Sequence, residues 1–201
     1  TDIALAYLIK SRFVGVDVDI ITPKEISNQR LKKNDINFVI GYDIINVIND
    51  DPPVKQFTGQ NGLEKLDKIY QSKSNKLFPS YPFMSFLWDK KKYLQHLEKN
   101  KIPISPTIFI KKGVKSQDLL KKIKLKKWKN FIIKPIGGTI AYGLGIFNTN
   151  ECSQNISLLD DYFDEENKYY DEYLVQEKIE GFSKFGEIKT FWIDGKLSYA
   201  V

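Results

Sequence analysis

Cysteine, histidine and methionine each occur once in 201 residues, and arginine occurs only at Arg12 and Arg30. A lone cysteine, Cys152, excludes an intrachain disulfide framework. Together with the lone His96 it cannot assemble a His/Cys metal site. His96 has no nucleophile in a catalytic spacing beside it and reads as an exposed helix residue. No apolar run approaches the roughly 20 residues of a membrane-spanning helix. No basic-then-apolar leader opens the chain. These absences lead to an expectation of a cytoplasmic protein with no membrane partner.

What is present is enough for a sizeable core: 42% of residues are hydrophobic and 13% aromatic. The net charge of +6 is unevenly spread. Lys111 to Lys134 holds ten lysines against one acid, Asp118, and Glu151 to Asp194 holds twelve acids against four lysines. A nucleic-acid-coating protein more often shows a continuous basic face with arginine, so the lysine run reads as solvated surface. Binding of an anionic small molecule remains open to such a chain.

Periodicity predicts a helix from Thr1 or Asp2 through Ile9, then an alternating strand over Val16–Ile21 that ends at Thr22-Pro23. A second, more buried strand is predicted over Ile36–Gly41, with punctuation at Asn49-Asp50-Asp51-Pro52-Pro53. Leu63–Tyr70 reads as a helix, Ser72–Pro82 as a turn-rich link and Trp88–Lys99 as a strong helix stopped by Asn100-Lys101-Ile102-Pro103. Strands follow at Pro106–Ile110, Asn130–Pro135, Leu144–Phe147, Tyr173–Glu177, Glu187–Ile193 and Leu197–Val201. Helices are predicted at Ser116–Lys124, with Ser116 as N-cap, and at Glu151–Phe163, followed by a charged loop over Glu165–Glu172. Asp194-Gly195 fits a type I′ hairpin turn. The order of elements points to an α/β (α+β) fold.

Four features in fixed order carry chemistry. Asp89-Lys90 opens a helix that ends at Ile102-Pro103. The strand Ile132-Ile133-Lys134-Pro135 delivers a second lysine, and a loop with Gly137, Gly138, Gly143 and Gly145 follows at once. Leu174 to Ile179 then leads to Gly181, Glu187 and Lys189. A strand-borne lysine can be held against a polyphosphate, and glycines let consecutive N–H groups turn toward an anion. The strand end Gln176-Glu177-Lys178-Ile179 offers backbone groups that can read a base edge. Each part alone is ordinary: an edge lysine, a hairpin loop, a cross-strand ion pair. Other templates fail, since Leu144 stands where a P-loop needs lysine and no kinase H-R-D or D-F-G string is present.

This ordered set resembles the ATP-grasp superfamily, and most closely its glutathione synthetase and glutamate-ligase type of carboxylate–amine ligase. The resemblance covers roughly Asp89–Val201, with Thr1–Pro23 similar to that family's pre-grasp lobe. It implies a pre-grasp α/β lobe over residues 1–82 and an ATP-grasp region over 83–201. Within that region the first lobe spans about 105–180 and the second starts near 181. It implies an ATP site in which Lys90 and Lys134 bind phosphates and Gly137, Gly138 and Gly143 belong to the loop folding over them. Gln176, Glu177, Lys178 and Ile179 would form the adenine link, Glu187 a ribose-binding or loop-orienting acid, and Lys189 a phosphate contact.

Two departures stand out: Gln176 replaces a frequent Glu, and Lys189 an Arg. The family's Mg²⁺ ligands fall beyond residue 201, so no metal ligand is expected in this stretch, which reads as an interior piece of a protein of about 300 residues. The implied partners are ATP and a small carboxylate, amine or peptide, with homo-oligomerisation left open. The other classes that fit parts of the pattern are a non-catalytic nucleotide-binding or structural protein with this fold, a lysine-rich nucleic-acid binder and, more weakly, a kinase of the same superfamily.

Overall fold

The structure is a computed structural model that describes residues 2–21, 25–39, 68–137, 141 and 143–201. The expectations placed on Thr1, Thr22-Pro23, Gly41, Asn49–Pro53, the first part of the 63–70 helix, Gly138, Thr139, Ile140 and Tyr142 lie outside those residues. The chain is a mixed α and β fold, as the element order implied.

In the first part, α1 (Asp2–Arg12) and the short α2 (Asn28–Leu31) precede β1 (Asn37–Phe38). β1 pairs in parallel with β2 (Leu77–Phe78). The Asn37 side chain sits beneath this pair and donates to the carbonyls of Leu31 and Asn75 at 2.9 and 2.6 Å. The strand expected over Val16–Ile21 does not form: that stretch is extended chain with no ladder partner among the described residues. Its alternation serves a different contact. Asp19 takes a two-pronged bond from the Arg30 guanidinium at 2.9 and 2.8 Å, tying the segment to α2.

The helix predicted over Trp88–Lys99 forms as α4 (Lys90–Lys99), and a separate helix that the pattern did not mark, α3 (Tyr81–Trp88), runs up to it. Asp89 breaks them apart. Its backbone is extended, and its carboxylate accepts the Lys92 N–H at 3.0 Å as the N-cap of α4. Similarly, the helix expected over Glu151–Phe163 divides into α6 (Thr149–Gln154) and α7 (Ser157–Glu166). Asn148 caps the first of these by accepting the N–H groups of Asn150 and Glu151. Between α4 and α6 lies α5 (Ser116–Leu125), whose N-cap is Lys115 and not Ser116.

The centre is a four-stranded antiparallel sheet in the order β3 (Thr107–Lys111), β6 (Glu172–Glu177), β4 (Asn130–Pro135), β5 (Gly145–Asn148). Side chains alternate across it. Ile108, Ile110, Phe131, Ile133, Tyr173 and Val175 form one face and pack against Leu119 and Ile123 of α5 and Leu159 and Phe163 of α7. Phe131 and Phe147 stack across the β4–β5 pair at 5.4 Å. On the opposite face α4 covers one end, where Leu94 meets Leu174 and Ile136 with Tyr93, Leu97, Ile104 and Phe109 around them.

Beyond β6 the chain forms α8 (Glu180–Phe185) and an antiparallel hairpin of β7 (Thr190–Ile193) and β8 (Lys196–Ala200). Asp194 and Gly195 both have positive φ, as a type I′ turn requires. The strand expected from Glu187 starts only at Thr190, because Glu187–Lys189 follows the Gly186 bend as unpaired chain up to Lys189, whose N–H and C=O bond Val201.

Candidate functional site

The face of the sheet opposite the core, one end of which α4 covers, carries two of the sequence-predicted side chains, Lys134 and Gln176. Thr107, Gln176, Ile132 and Ile146 lie in one row across β3, β6, β4 and β5. Phe109, Leu174 and Lys134 form the next row. Lys134 is on this face because its neighbours Ile133 and Pro135 are both buried in the core behind it. The ammonium is half-buried, has no hydrogen-bond or ion-pair partner among the described residues, and its pKa is lowered from the ordinary lysine value by desolvation.

Lys90 arrives from the first turn of α4. Its backbone N–H and its ammonium both donate to the Ile136 carbonyl, at 3.3 and 3.2 Å. Ile136 lies two residues beyond Lys134, so the two lysines converge on the exit of β4. Neighbouring Lys91 is committed elsewhere, to Glu172 at 3.2 Å.

Gln176 is only 7% exposed. Its amide donates to the Thr107 hydroxyl at 2.9 Å, and that hydroxyl donates to the Ser105 carbonyl at 2.7 Å. Past it, the backbone is unevenly satisfied. The Glu177 N–H donates to the Pro106 carbonyl, and the Lys178 N–H to the Asn130 carbonyl. By register the Glu177 carbonyl faces Pro106, which has no N–H to return. The Ile179 N–H likewise has no acceptor among the described residues. The end of β6 therefore presents one open acceptor and, two residues on, one open donor.

The β4–β5 connection supplies the glycines. Gly137 directly follows Ile136, while Gly138 lies outside the described residues. Gly143 has φ +65°, and a Cβ there would stand 2.7 Å from Pro135 Cγ and 2.8 Å from Glu166 Oε2. Its carbonyl accepts the Tyr162 hydroxyl at 2.6 Å. Burial, with the Glu166 carboxylate beside it, keeps that phenol protonated as a donor by raising its pKa. Gly145 is equally confined, with a Cβ meeting Tyr162 at 2.9 Å and the Phe147 ring. Packing against α7 thus accounts for these two glycines without any anion. Sequence reasoning did not single out Tyr162 or Glu166, because their contact to Gly143 crosses about 20 residues and leaves no local pattern.

Glu187 and Lys189 stand apart from this group. Both are exposed, on the chain leading to the β7–β8 hairpin, and no hydrogen bond or ion pair joins them to Lys90, Lys134 or the end of β6. Among the described residues no cluster of three or more His, Cys, Asp or Glu side chains could hold a metal ion. Nor is any described helix long and apolar enough to cross a membrane.

No protein-family model matches the chain. No curated protein matches it in sequence. Among solved structures, the D-cycloserine synthetase DcsG is similar, with a TM-score of 0.69 at 16% identity. The alignment covers 99% of this chain and 62% of that one, so the chain spans under two thirds of the synthetase's length. At that identity the likeness speaks for architecture alone: the chain shares the fold of part of that synthetase across nearly its own whole length.

Proposed function

We propose that the open face of the sheet binds ATP and that the full-length protein is an ATP-dependent carboxylate–amine ligase of the glutathione synthetase and glutamate-ligase type. The observation that supports this best is Lys134, a half-buried ammonium with no hydrogen-bond or ion-pair partner among the described residues, on the face of the sheet opposite the core. A desolvated cation that lacks an anion is stabilised by one supplied from outside. Lys90, at the exit of the same strand, adds a second positive charge, and Gly137 opens the connection that would lie over the phosphates, with Gly143 anchoring its far end against α7. The open Glu177 carbonyl and Ile179 N–H match the amino group and ring nitrogen of adenine, and Gln176 and Lys178 frame them.

In the reaction so proposed, a substrate carboxylate oxygen attacks the γ-phosphorus and the bond to the ADP oxygen breaks. The acyl phosphate is then attacked at carbon by an amine, which forms the amide, loses a proton and releases phosphate. Lys90 and Lys134 would hold and neutralise the oxygens that carry charge through the transfer. Mg²⁺ belongs to such chemistry, but the described residues do not build a site for it, and no step is drawn through it. Glu187 and Lys189 would act from the second lobe, on the ribose or loop and on phosphate. The amine and the acid would be small molecules or a peptide.

The test is nucleotide binding by the full-length protein. Replacing both lysines, Lys90→Ala with Lys134→Ala, should weaken ATP binding by about a hundredfold or more, measured by calorimetry. ATP affinity retained in the double variant would overturn the assignment. Binding without amide formation or ATP turnover would favour a non-catalytic nucleotide-binding protein.

A further inference from the structure

α4 opens on three consecutive lysines, Lys90, Lys91 and Lys92, and has no acid inside its first turn. Cations are disfavoured at a helix N-terminus, where the free N–H groups already carry partial positive charge. Each lysine takes a different partner. Lys92 pairs with the capping Asp89 at 3.1 Å. Lys91 crosses to Glu172 of β6, with its ammonium 3.2 and 3.3 Å from the two carboxylate oxygens. The Lys90 N–H and ammonium both donate to the Ile136 carbonyl.

Glu172 holds both sides of this junction. Tyr173 turns into the core, so Glu172 and Leu174 stand on the face that α4 packs against. The main-chain carbonyl of Glu172 accepts the Ile136 N–H at 3.0 Å, while its carboxylate takes Lys91. The bonds close a ring that runs from Glu172 to Ile136, from Ile136 to Lys90, and from Lys91 back to Glu172. Lys111 lies opposite Glu172 in the β3–β6 register, yet it is exposed and makes no ion pair among the described residues. The carboxylate therefore serves the helix and not its own sheet. We infer that Glu172 is a positioning residue for the nucleotide site: through Lys91 it fixes the first turn of α4, so that the Lys90 ammonium is kept at the exit of the strand that carries Lys134. Without that tie, the turn would rest on the Lys90 N–H bond to Ile136, which is long at 3.3 Å. This inference rests on the nucleotide reading and adds to it a residue that touches no nucleotide.

Calorimetric titration of the full-length protein with ATP tests this. Glu172→Gln keeps the side chain's size and the main-chain bond to Ile136. By charge alone, losing a carboxylate near bound phosphates would tighten ATP binding. Losing the placement of Lys90 weakens it. Glu172→Gln should therefore weaken ATP binding about fivefold, and Lys91→Met about as much. The two changes together should cost no more than either alone, because they break one tie. In a Lys90→Ala protein, Glu172→Gln should have no further effect, since no ammonium is left to place. The pair is about one-third exposed on each side, so circular dichroism of both single variants should match the wild type. Lys91→Met leaves the sheet untouched and carries the test independently of Glu172→Gln. ATP binding by Glu172→Gln that is unchanged or tighter, or the same loss when Lys90 is absent, would overturn the inference and leave the nucleotide site standing. A wild-type protein that does not bind ATP would overturn the nucleotide reading, and this inference with it.

Discussion

Lys134 is held in a position that costs the fold stability. Burial lowers its pKa from the ordinary 10.5. Below the folded-state pKa both folded and unfolded chains carry the charge, and the folded state bears the full desolvation cost. As pH rises through the window between the folded pKa and 10.5, the folded chain releases its proton first and the handicap fades. Lys134→Met should therefore raise the melting temperature at pH 7 by roughly 3 °C, the shift expected for about 1 kcal/mol in a domain this size. The gain should shrink as the pH approaches 10.5. A melting temperature lowered at pH 7, or a gain independent of pH, would show that the ammonium is stabilising where it stands. The residue was legible in the sequence because strand alternation around Phe131, Ile133 and Pro135 sends Lys134 to the other face. Its lack of a partner among the described residues was not, since that depends on which strands flank β4.

Among elements, the β4–β5 connection shows how a local motif can carry a non-local reason. Its glycines suggest a phosphate loop, yet Gly143 and Gly145 are confined by Pro135, Glu166, Tyr162 and Phe147. Gly143→Ala should destabilise the protein by about 2 kcal/mol, from positive φ together with the contact to Pro135. Urea unfolding checks this, and a midpoint unchanged from wild type would mean that the loop is not clamped there. Periodic elements were readable: β4 forms over the residues its pattern marks, and β3 and β6 are within one residue. α3 was not, because Tyr-Pro-Phe-Met-Ser-Phe-Leu-Trp is apolar on all sides and offers no stripe to detect. α8, six residues long, is too short to show a period. At Val16–Ile21 the alternation was real, but a strand needs a neighbour, and Arg30 holds Asp19 instead.

For the molecule as a whole, order is unevenly distributed. The four-stranded sheet is sealed between helices on its core face, whereas every residue of β7 and β8 is exposed, including Trp192, Ile193 and Leu197. A two-stranded hairpin in water is marginal alone. In this 201-residue chain, backbone amides of Ile133 and Val175 should exchange with solvent slowest, and those of Phe191 and Trp192 orders of magnitude faster. Hydrogen-exchange mass spectrometry would reveal equal protection if the hairpin were as firmly held as the sheet. The same unevenness sets how much of the candidate site could be read ahead of the structure. Lys90, Lys134 and the Gln176–Ile179 link belong to the well-packed part, and their order along the chain matches their gathering in space. Glu187 and Lys189 belong to the exposed arm, whose approach to the rest is not encoded in local spacing.

The imino acid at position 106 has a consequence for base discrimination. Because Pro106 returns no hydrogen to Glu177, that carbonyl stays an unsatisfied acceptor in the strand register. On the nucleotide reading, an exocyclic amine is welcome there, whereas a keto oxygen at the same place would set two acceptors against each other. Preference for adenosine over guanosine nucleotides would then be written in a hydrogen the neighbouring strand does not possess, and no side chain would have to read the base at all.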